Sequence, residues 1–140
     1  MDIKQVIVMR TDLNRRKGKM IAQGAHASMM FIVKRLKRDN HEIFPGSGPY
    51  PFQAMDVYPG LTAVELAWVE GNFKKICVSV SSEADLLRIH QAANDLYLES
   101  HLCTDNGLTE FNGIPTNTCI AIGPDDAEKI DKITGHLTLL

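Results

Sequence analysis

The first residues that suggest chemistry are a cluster of cations near the N-terminus. Arg15-Arg16-Lys17-Gly18-Lys19 is followed by Gln23 and His26. Lys19, Gln23 and His26 are spaced so that they fall in one narrow sector of a helix. Cations are unusual at a helix start, because the helix macrodipole favours acidic residues there and the free backbone N–H groups already attract anions. This segment predicts a site for a phosphate or a developing oxyanion.

A second polar segment is Thr104-Asp105-Asn106-Gly107-Leu108-Thr109-Glu110, which follows a predicted strand. Asn106-Gly107 allows a turn with positive φ, which can direct Asp105 and Thr109 sideways. Clefts in α/β sheets lie where strand ends face helix N-termini. A carboxylate that orients water, hydroxyls that hold it and a nearby ammonium suffice for ester hydrolysis. Both segments also have a plain structural interpretation, namely a solvated helix face and an ordinary hairpin turn.

Several familiar signatures are absent from the chain. It has no phosphate-binding GxxxxGK[ST] loop, no GxGxxG after the first strand, no HExxH and no GxSxG. The five histidines lack metal-ligand spacing, and no serine or cysteine nucleophile has an obvious base. We therefore expect direct attack by water, with neither metal nor cofactor.

The length and composition predict one domain over residues 1–140. The chain has 140 residues, of which 44% are hydrophobic and 23% charged, which is typical of a globular protein. Its longest apolar stretch, Met29–Val33, is too short to cross a membrane. Met1–Arg10 has no cleavage site, and Cys77, Cys103 and Cys119 form no CxxC pair. These features predict a cytoplasmic protein with buried, reduced thiols.

The charge is distributed unevenly along the chain. Residues 1–40 hold ten Lys or Arg against three Asp, whereas the rest holds five against fourteen acidic residues. A basic N-terminal third on an acidic body predicts a face that binds a polyanion. For the run Lys34–Arg38, an equally good interpretation is that it ends a helix, where cations are favoured.

Alternating apolar patterns predict strands and helices in turn. The order is β-α-loop-α-β-α-β-β-α, which favours an α/β sandwich with a small, mostly parallel sheet. The first helix should run from Gly18 to about Lys37, and 39–60 should form a long, lid-like Gly/Pro-rich loop. The predicted strands are Ile3–Met9, Lys75–Val80 (buried on both faces), His101–Thr104 and Thr118–Gly123. The predicted buried stripes are Ile21, Ala25, Ser28/Met29, Ile32 and Leu36 on the first helix, and Leu86, Ile89, Ala93, Leu96 and Tyr97 on the third.

Several of these motifs, in consistent order, resemble the archaeal and eukaryotic (type II) peptidyl-tRNA hydrolases. The similarity spans nearly the whole chain except 39–60, which is an insertion relative to the family. The segments that carry it are Lys4–Leu13, Lys17-Gly18-Lys19, Ala22–Ala27, Trp68…Gly71…Lys75-Ile76, Asp105-x-Gly107-x-Thr109, Thr116-x-Thr118, Ala121–Pro124 and Ile130–Leu137.

The resemblance implies a three-layer α/β/α sandwich around a four-stranded mixed β-sheet, usually dimeric and without a metal. It implies hydrolysis of the ester between a peptide and the 3′-terminal ribose of tRNA. Lys19, Gln23 and His26 match the site motif of the first helix, and Asp105, Thr109 and Thr118 match the later acid and threonines. Asp105 would orient or deprotonate water held by Thr109 and Thr118. Lys19 would bind the terminal phosphate or the oxyanion, and Arg15–Lys17 would contact phosphates of the acceptor stem.

Two positions depart from the family's usual Asp-Ala-Gly-Arg-Thr-Gln. Leu108 replaces its arginine and Glu110 replaces its glutamine, so one cation is lost and one anion gained beside a polyanionic substrate. Two alternatives to the hydrolase remain open from the residues. One is a non-catalytic RNA- or nucleotide-binding module on the same fold, and the other is a divergent small-molecule hydrolase whose pocket includes 39–60.

Overall fold

A computed structural model of the chain describes residues 1–43, 60–108 and 111–140. The strands are β1 Ile3–Arg10, β2 Lys75–Val80, β3 Ser100–Asp105, β4 Thr116–Asp126 and β5 Thr138–Leu139. The helices are α1 Lys17–Ile43, α2 Ala63–Glu70, α3 Glu83–Asp95 and α4 Ala127–Thr134. Within the described ranges, no helix is both long and apolar enough to span a membrane.

The sheet is mixed, in the order β3-β4-β1-β2-β5. β1 and β2 run parallel, whereas β1–β4, β3–β4 and β2–β5 are antiparallel. The α/β class and mixed sheet are confirmed, with β5 as a fifth strand, but the expectation of a mostly parallel sheet is wrong. A connection as short as 106–115 can only return the chain antiparallel. Because β4 lies between β1 and β3, those two strands point the same way and end at the same edge of the sheet.

Alternating residues of the central strands fill two separate cores, so the helices lie in two layers. Val6 and Val8 of β1 pack with Leu86 of α3 and Ile130 of α4. Ile7 and Met9 point to the opposite face and pack with Ala27 of α1. α2 lies on the α1 side, where Phe31 and Trp68 meet edge to face. The expected α/β/α layering is therefore present.

The face that α1 buries differs from the predicted stripe. Ile21, Ala25 and Met29 are exposed, as is Leu36, and Ile32 is only half-buried. Among residues 17–37 of the helix, the buried residues are Gln23, Gly24, Ala27, Phe31 and, as predicted, Ser28. Polar residues are tolerated here because they find partners on the sheet. Gln5 Nε2 donates to the Ser28 carbonyl at 2.9 Å, and Ser28 Oγ donates to Gln5 Oε1 at 2.5 Å.

α1 continues to Ile43, beyond its predicted end, so Lys34–Arg38 does not terminate the helix. Within that run, the Arg35 guanidinium forms ion pairs with Glu65 of α2 and with Glu99, and so ties three segments together. The first five residues of the expected loop, 39–43, are helical. Of the rest, 44–59 lie outside the described residues.

Three further expectations need correction. β2 is not buried on both faces: Lys75 and Cys77 are exposed, whereas α1 packs mainly over β1, β3 and β4. The thiols of Cys103 and Cys119 are buried and free as predicted, but that of Cys77 is exposed. In α3, Leu86, Ile89 and Ala93 are buried, whereas Leu96 and Tyr97 lie past the helix end and are exposed.

Substitution of Gly24 by Ala should stabilise the protein. A Cβ there would lie 3.5 Å from Met9 Cε, an ordinary van der Waals contact. Since glycine inside a helix is about 1 kcal/mol less favourable than alanine, we expect the free energy of unfolding in urea to rise by about that amount. Gly123→Ala is the control, because φ is +87° and the new Cβ would lie 2.8 Å from the Asp125 backbone nitrogen. It should destabilise; loss of stability in Gly24→Ala would contradict the packing described.

Candidate active site

An ion pair between Lys19 and Asp105 joins the start of α1 to the end of β3. Lys19 Nζ lies 3.0 Å from Asp105 Oδ2, and the Asp105 side chain is only 9% exposed. α1 follows β1 in the chain, and β1 and β3 end at the same edge of the sheet. The first turn of α1 therefore faces the last residue of β3. The structure brings together the two groups that sequence reasoning assigned to one cleft.

Asp105 accepts hydrogen bonds on both carboxylate oxygens. The Gly107 N–H donates to Oδ1 at 2.8 Å, and Gln23 Nε2 donates to Oδ2 at 3.0 Å beside the Lys19 ammonium. Each of these contacts stabilises the ionised form. The Gly107 N–H, then Gln23 and Lys19, lower the pKa of Asp105 to about 2. At neutral pH the site holds a fixed carboxylate.

The turn after β3 depends on Gly107. Its φ of +80° lies in the left-handed region, and a Cβ would stand 2.3 Å from the Ile114 carbonyl oxygen. Only glycine fits this backbone. The turn directs the Gly107 N–H at Asp105, so the glycine acts on the carboxylate through the main chain.

The ion pair lies in an open cleft of about 280 Å³ between α1 and β3. Sequence reasoning had identified Lys19, Gln23, His26 and Asp105 of its lining. The remaining lining residues are Ala22, Cys103, Thr104 and Asn106. The available signals were weak: Ala22 lies one helical turn from His26, and Thr104 and Asn106 flank Asp105. The cleft combines a cation, an anion, two amides, an imidazole and a hydroxyl with two smaller side chains, those of Ala22 and Cys103.

Cys103, which lines the cleft, faces Cys119 across the β3–β4 pair. The neighbouring Cys119 thiol is the main cause that lowers the pKa of Cys103. Proximity to Cys103 and burial raise the pKa of Cys119. Cys119 Sγ also lies 3.5 Å from the Gln23 carbonyl oxygen. The sulfurs thus pack against the helix turn that presents Gln23.

Other predicted site residues have different surroundings. Thr118 is fully buried, and its hydroxyl donates to the Cys103 carbonyl at 3.1 Å, away from the cleft. Thr109 and Glu110 lie outside the described residues. Leu108 is 78% exposed and is not among the described lining residues.

The three cations before Lys19 also differ from one another. Arg16 and Lys17 are exposed at the start of α1, three and two residues before Lys19. Arg15 is partly buried, and its guanidinium donates to the side chain of Gln23. In the described part of the chain, no group of three or more His, Cys, Asp or Glu is placed to hold a metal ion.

Because the pKa of Asp105 is low, we expect its contribution to the stability of the folded protein to depend on pH. Because the folded pKa lies below the unfolded value of about 4, the carboxylate contributes stability that is fully present above that pH. This contribution is lost as the pH falls through about 2. We expect the difference in unfolding free energy between wild type and Asp105→Asn to be constant above about pH 5 and to shrink below pH 4. Denaturation at a series of pH values measures it; a difference that grows in acid would contradict the site geometry.

Comparison with known proteins supplies evidence independent of this geometry. A family profile described as peptidyl-tRNA hydrolase PTH2 matches residues 3–140. The peptidyl-tRNA hydrolase of Methanothermobacter thermautotrophicus is 39% identical over 138 residues, which cover 99% of this chain and 100% of that protein. The peptidyl-tRNA hydrolase of Methanocaldococcus jannaschii is 38% identical with the same coverage.

A solved structure shares the fold. It is a protein of unknown function from Agrobacterium tumefaciens strain C58, with a TM-score of 0.54 and 15% identity, covering 100% of this chain and 98% of that one. At this identity the likeness concerns the fold alone. The profile match and the archaeal relatives, by contrast, extend over nearly every residue. The chain belongs to the peptidyl-tRNA hydrolase PTH2 family.

Proposed function

We propose that this protein hydrolyses the ester that joins a peptide to the 3′ end of tRNA, using side chains alone and no metal. The observation that carries the proposal is the Lys19–Asp105 ion pair, 3.0 Å between Nζ and Oδ2, in an open cleft. The family and the relatives' names supply the substrate class. Ester hydrolysis by water requires a group that orients the water and a group that stabilises the negative charge that develops on the carbonyl oxygen.

In this mechanism Asp105 orients the attacking water. With a pKa of about 2 it is ionised at neutral pH and can accept a hydrogen bond from water, although it is a weak base in the free enzyme. As the water oxygen bonds to the ester carbon, its proton passes to Asp105. The proton then leaves with the ribose oxygen when the C–O ester bond breaks. Proton uptake becomes easier if Lys19 turns from Asp105 to the substrate, since one contact that lowers the pKa is then lost.

Lys19 stabilises the charge that develops during the reaction. Its side chain is 24% exposed, so the ammonium can reach the carbonyl oxygen or the terminal phosphate without leaving the cleft. His26 lines the same wall and contributes to substrate binding, whereas the nearly buried Gln23 amide acts by holding the Asp105 carboxylate. Thr118 supports the site from behind by holding the Cys103 carbonyl. The role of Thr109 in positioning the water remains a prediction.

We propose that tRNA lies along the basic start of α1. Arg16 and Lys17 are exposed shortly before Lys19 in the chain, where they can contact backbone phosphates without reading sequence. The three free cysteines fit a reducing compartment, and we propose a cytoplasmic location.

Substitution of either member of the ion pair should abolish most activity. We expect Lys19→Ala and Asp105→Asn each to lower kcat/KM for peptide release from a peptidyl-tRNA by at least about 100-fold, the usual effect of removing a group that stabilises the transition state. Lys132→Ala, which removes an exposed lysine of α4 on the other face of the sheet, is the control and should stay within about threefold of wild type. Circular dichroism should show all variants folded. A wild type that binds tRNA but releases no peptide would refute the proposal in favour of a binding module.

We also propose that the protein forms a homodimer, as the family resemblance implies. The outer face of α1 carries exposed apolar side chains, Ile21 at 72% and Met29 at 58%, with Ala25 between them. A two-fold axis would bring this face against its copy and bury both.

Sedimentation at micromolar concentration tests the dimer. Met29→Glu should shift wild-type dimers toward monomers, because a two-fold contact places the new charges close together in an apolar surface. Leu87→Glu, at an exposed apolar position of α3, should leave the dimer intact. A monomeric wild type, or a Met29→Glu variant that remains dimeric, would show that this face is not the interface.

A further inference from the structure

Two adjacent arginines before α1 have different environments. Arg16 is exposed, whereas Arg15 is partly buried with its guanidinium turned toward the sheet. The backbone of Asn14, with φ of 52°, turns the chain just before them. Arg15 Nη1 lies 3.2 Å from Met9 Sδ and donates to Gln23 Oε1 at 2.5 Å, and Nη2 donates to the Arg10 carbonyl. All of these contacts are inside the protein, so this guanidinium is occupied.

The contact with Arg15 determines the orientation of the Gln23 amide. A guanidinium has only hydrogen-bond donors, so the side-chain oxygen of Gln23, Oε1, must face Arg15. The amide NH₂ then points the other way, and Nε2 lies 3.0 Å from Asp105 Oδ2. In the reverse orientation, the NH₂ group would face the donors of Arg15, and Oε1 would face the Asp105 carboxylate. Neither pair could form a hydrogen bond. Gln23 is only 5% exposed, so water cannot satisfy these groups in their place.

The Gln23 hydrogen bond in turn limits the positions that Asp105 can adopt. Oδ2 is shared between Gln23 Nε2 and Lys19 Nζ, and Oδ1 is held by the Gly107 N–H. If Lys19 moves toward a substrate, the contacts with Gln23 and Gly107 still keep the carboxylate in place. The amide must present its NH₂ group at that moment. A carboxylate that is displaced by about 1 Å from the position in which it orients the water loses much of its effect on the reaction rate.

We propose that Arg15 is a positioning residue for the hydrolysis proposed above, acting through Gln23 on Asp105 and not through contact with tRNA. The chain Arg15–Gln23–Asp105 spans the segment before α1, the second turn of that helix and the end of β3. This role rests on the proposed function. It replaces, for Arg15, the phosphate contact that the cluster of cations suggested.

The test compares Arg15→Leu with Arg16→Leu, which remove the same charge from neighbouring positions. For Arg15→Leu we expect kcat for peptide release to fall about tenfold and KM to stay within about twofold, because positioning is lost while phosphate contacts remain. For Arg16→Leu we expect KM to rise with little change in kcat. Nuclear magnetic resonance titration of the Asp105 carboxyl should show a midpoint raised by Arg15→Leu and unchanged by Arg16→Leu.

A double-mutant comparison tests whether Arg15 acts through Gln23. Gln23→Leu should lower kcat, and adding Arg15→Leu should lower it little further, because residues in one hydrogen-bonded chain are not additive. Arg15→Lys keeps a donor for Gln23 Oε1 but not the planar fork, so its kcat should be intermediate. If Arg15→Leu does not fold, the kcat of Arg15→Lys, alone and combined with Gln23→Leu, tests the same coupling.

Two results would overturn the proposal. One is a raised KM with kcat and the Asp105 midpoint unchanged in Arg15→Leu or Arg15→Lys, which would make Arg15 a tRNA contact. The other is full additivity of Arg15→Leu and Gln23→Leu in kcat. If the wild type releases no peptide, the proposed function fails. The Asp105 titration still decides whether Arg15 aligns Gln23, so the two failures can be told apart.

Discussion

The carboxylate of Asp105 is the group on which the organisation of the cleft depends. A nearly buried carboxylate is stable only when donors compensate for the water it has lost. Here the Gly107 N–H comes from the adjacent turn, whereas Lys19 and Gln23 come from α1. Of the three donors found among the described residues, two are thus supplied by a distant part of the chain, so this arrangement requires α1 to be docked on the sheet.

The sheet order makes that docking possible. β4 lies between β1 and β3 and runs antiparallel to both, so β1 and β3 end at one edge. The helix that follows β1 begins where β3 stops. A buried hydrogen-bond pair between Gln5 and Ser28 then determines how α1 lies across β1. Polar contacts of this kind specify one helix orientation more strictly than apolar packing, because a shifted helix would leave buried groups unpaired.

Features that depend on neighbours along the chain could be predicted from the sequence, whereas contacts between distant segments could not. Most strand and helix positions could be predicted, since they depend on local periodicity and on caps such as Ser82 at the start of α3. The buried face of α1 could not. Ile21, Ala25 and Met29 have the spacing of a core stripe, yet they are exposed, and the helix buries Gln23 and Gly24 next to the expected Ser28. The partners that make those residues suitable for burial lie on β1 and β3, and helical periodicity contains no information about them.

The sequence by itself determined the class of fold, the family and the chemical types of the site residues, because motifs and periodicity are properties of neighbours along the chain. Only the tertiary structure decided which of these side chains meet. It placed Lys19, Gln23 and Asp105 together, buried Thr118 away from the cleft, and turned Arg15 inward while Arg16 stayed exposed. The physical reason is that two identical side chains at adjacent positions point in different directions, and burial and hydrogen bonding depend on what the folded chain has put there.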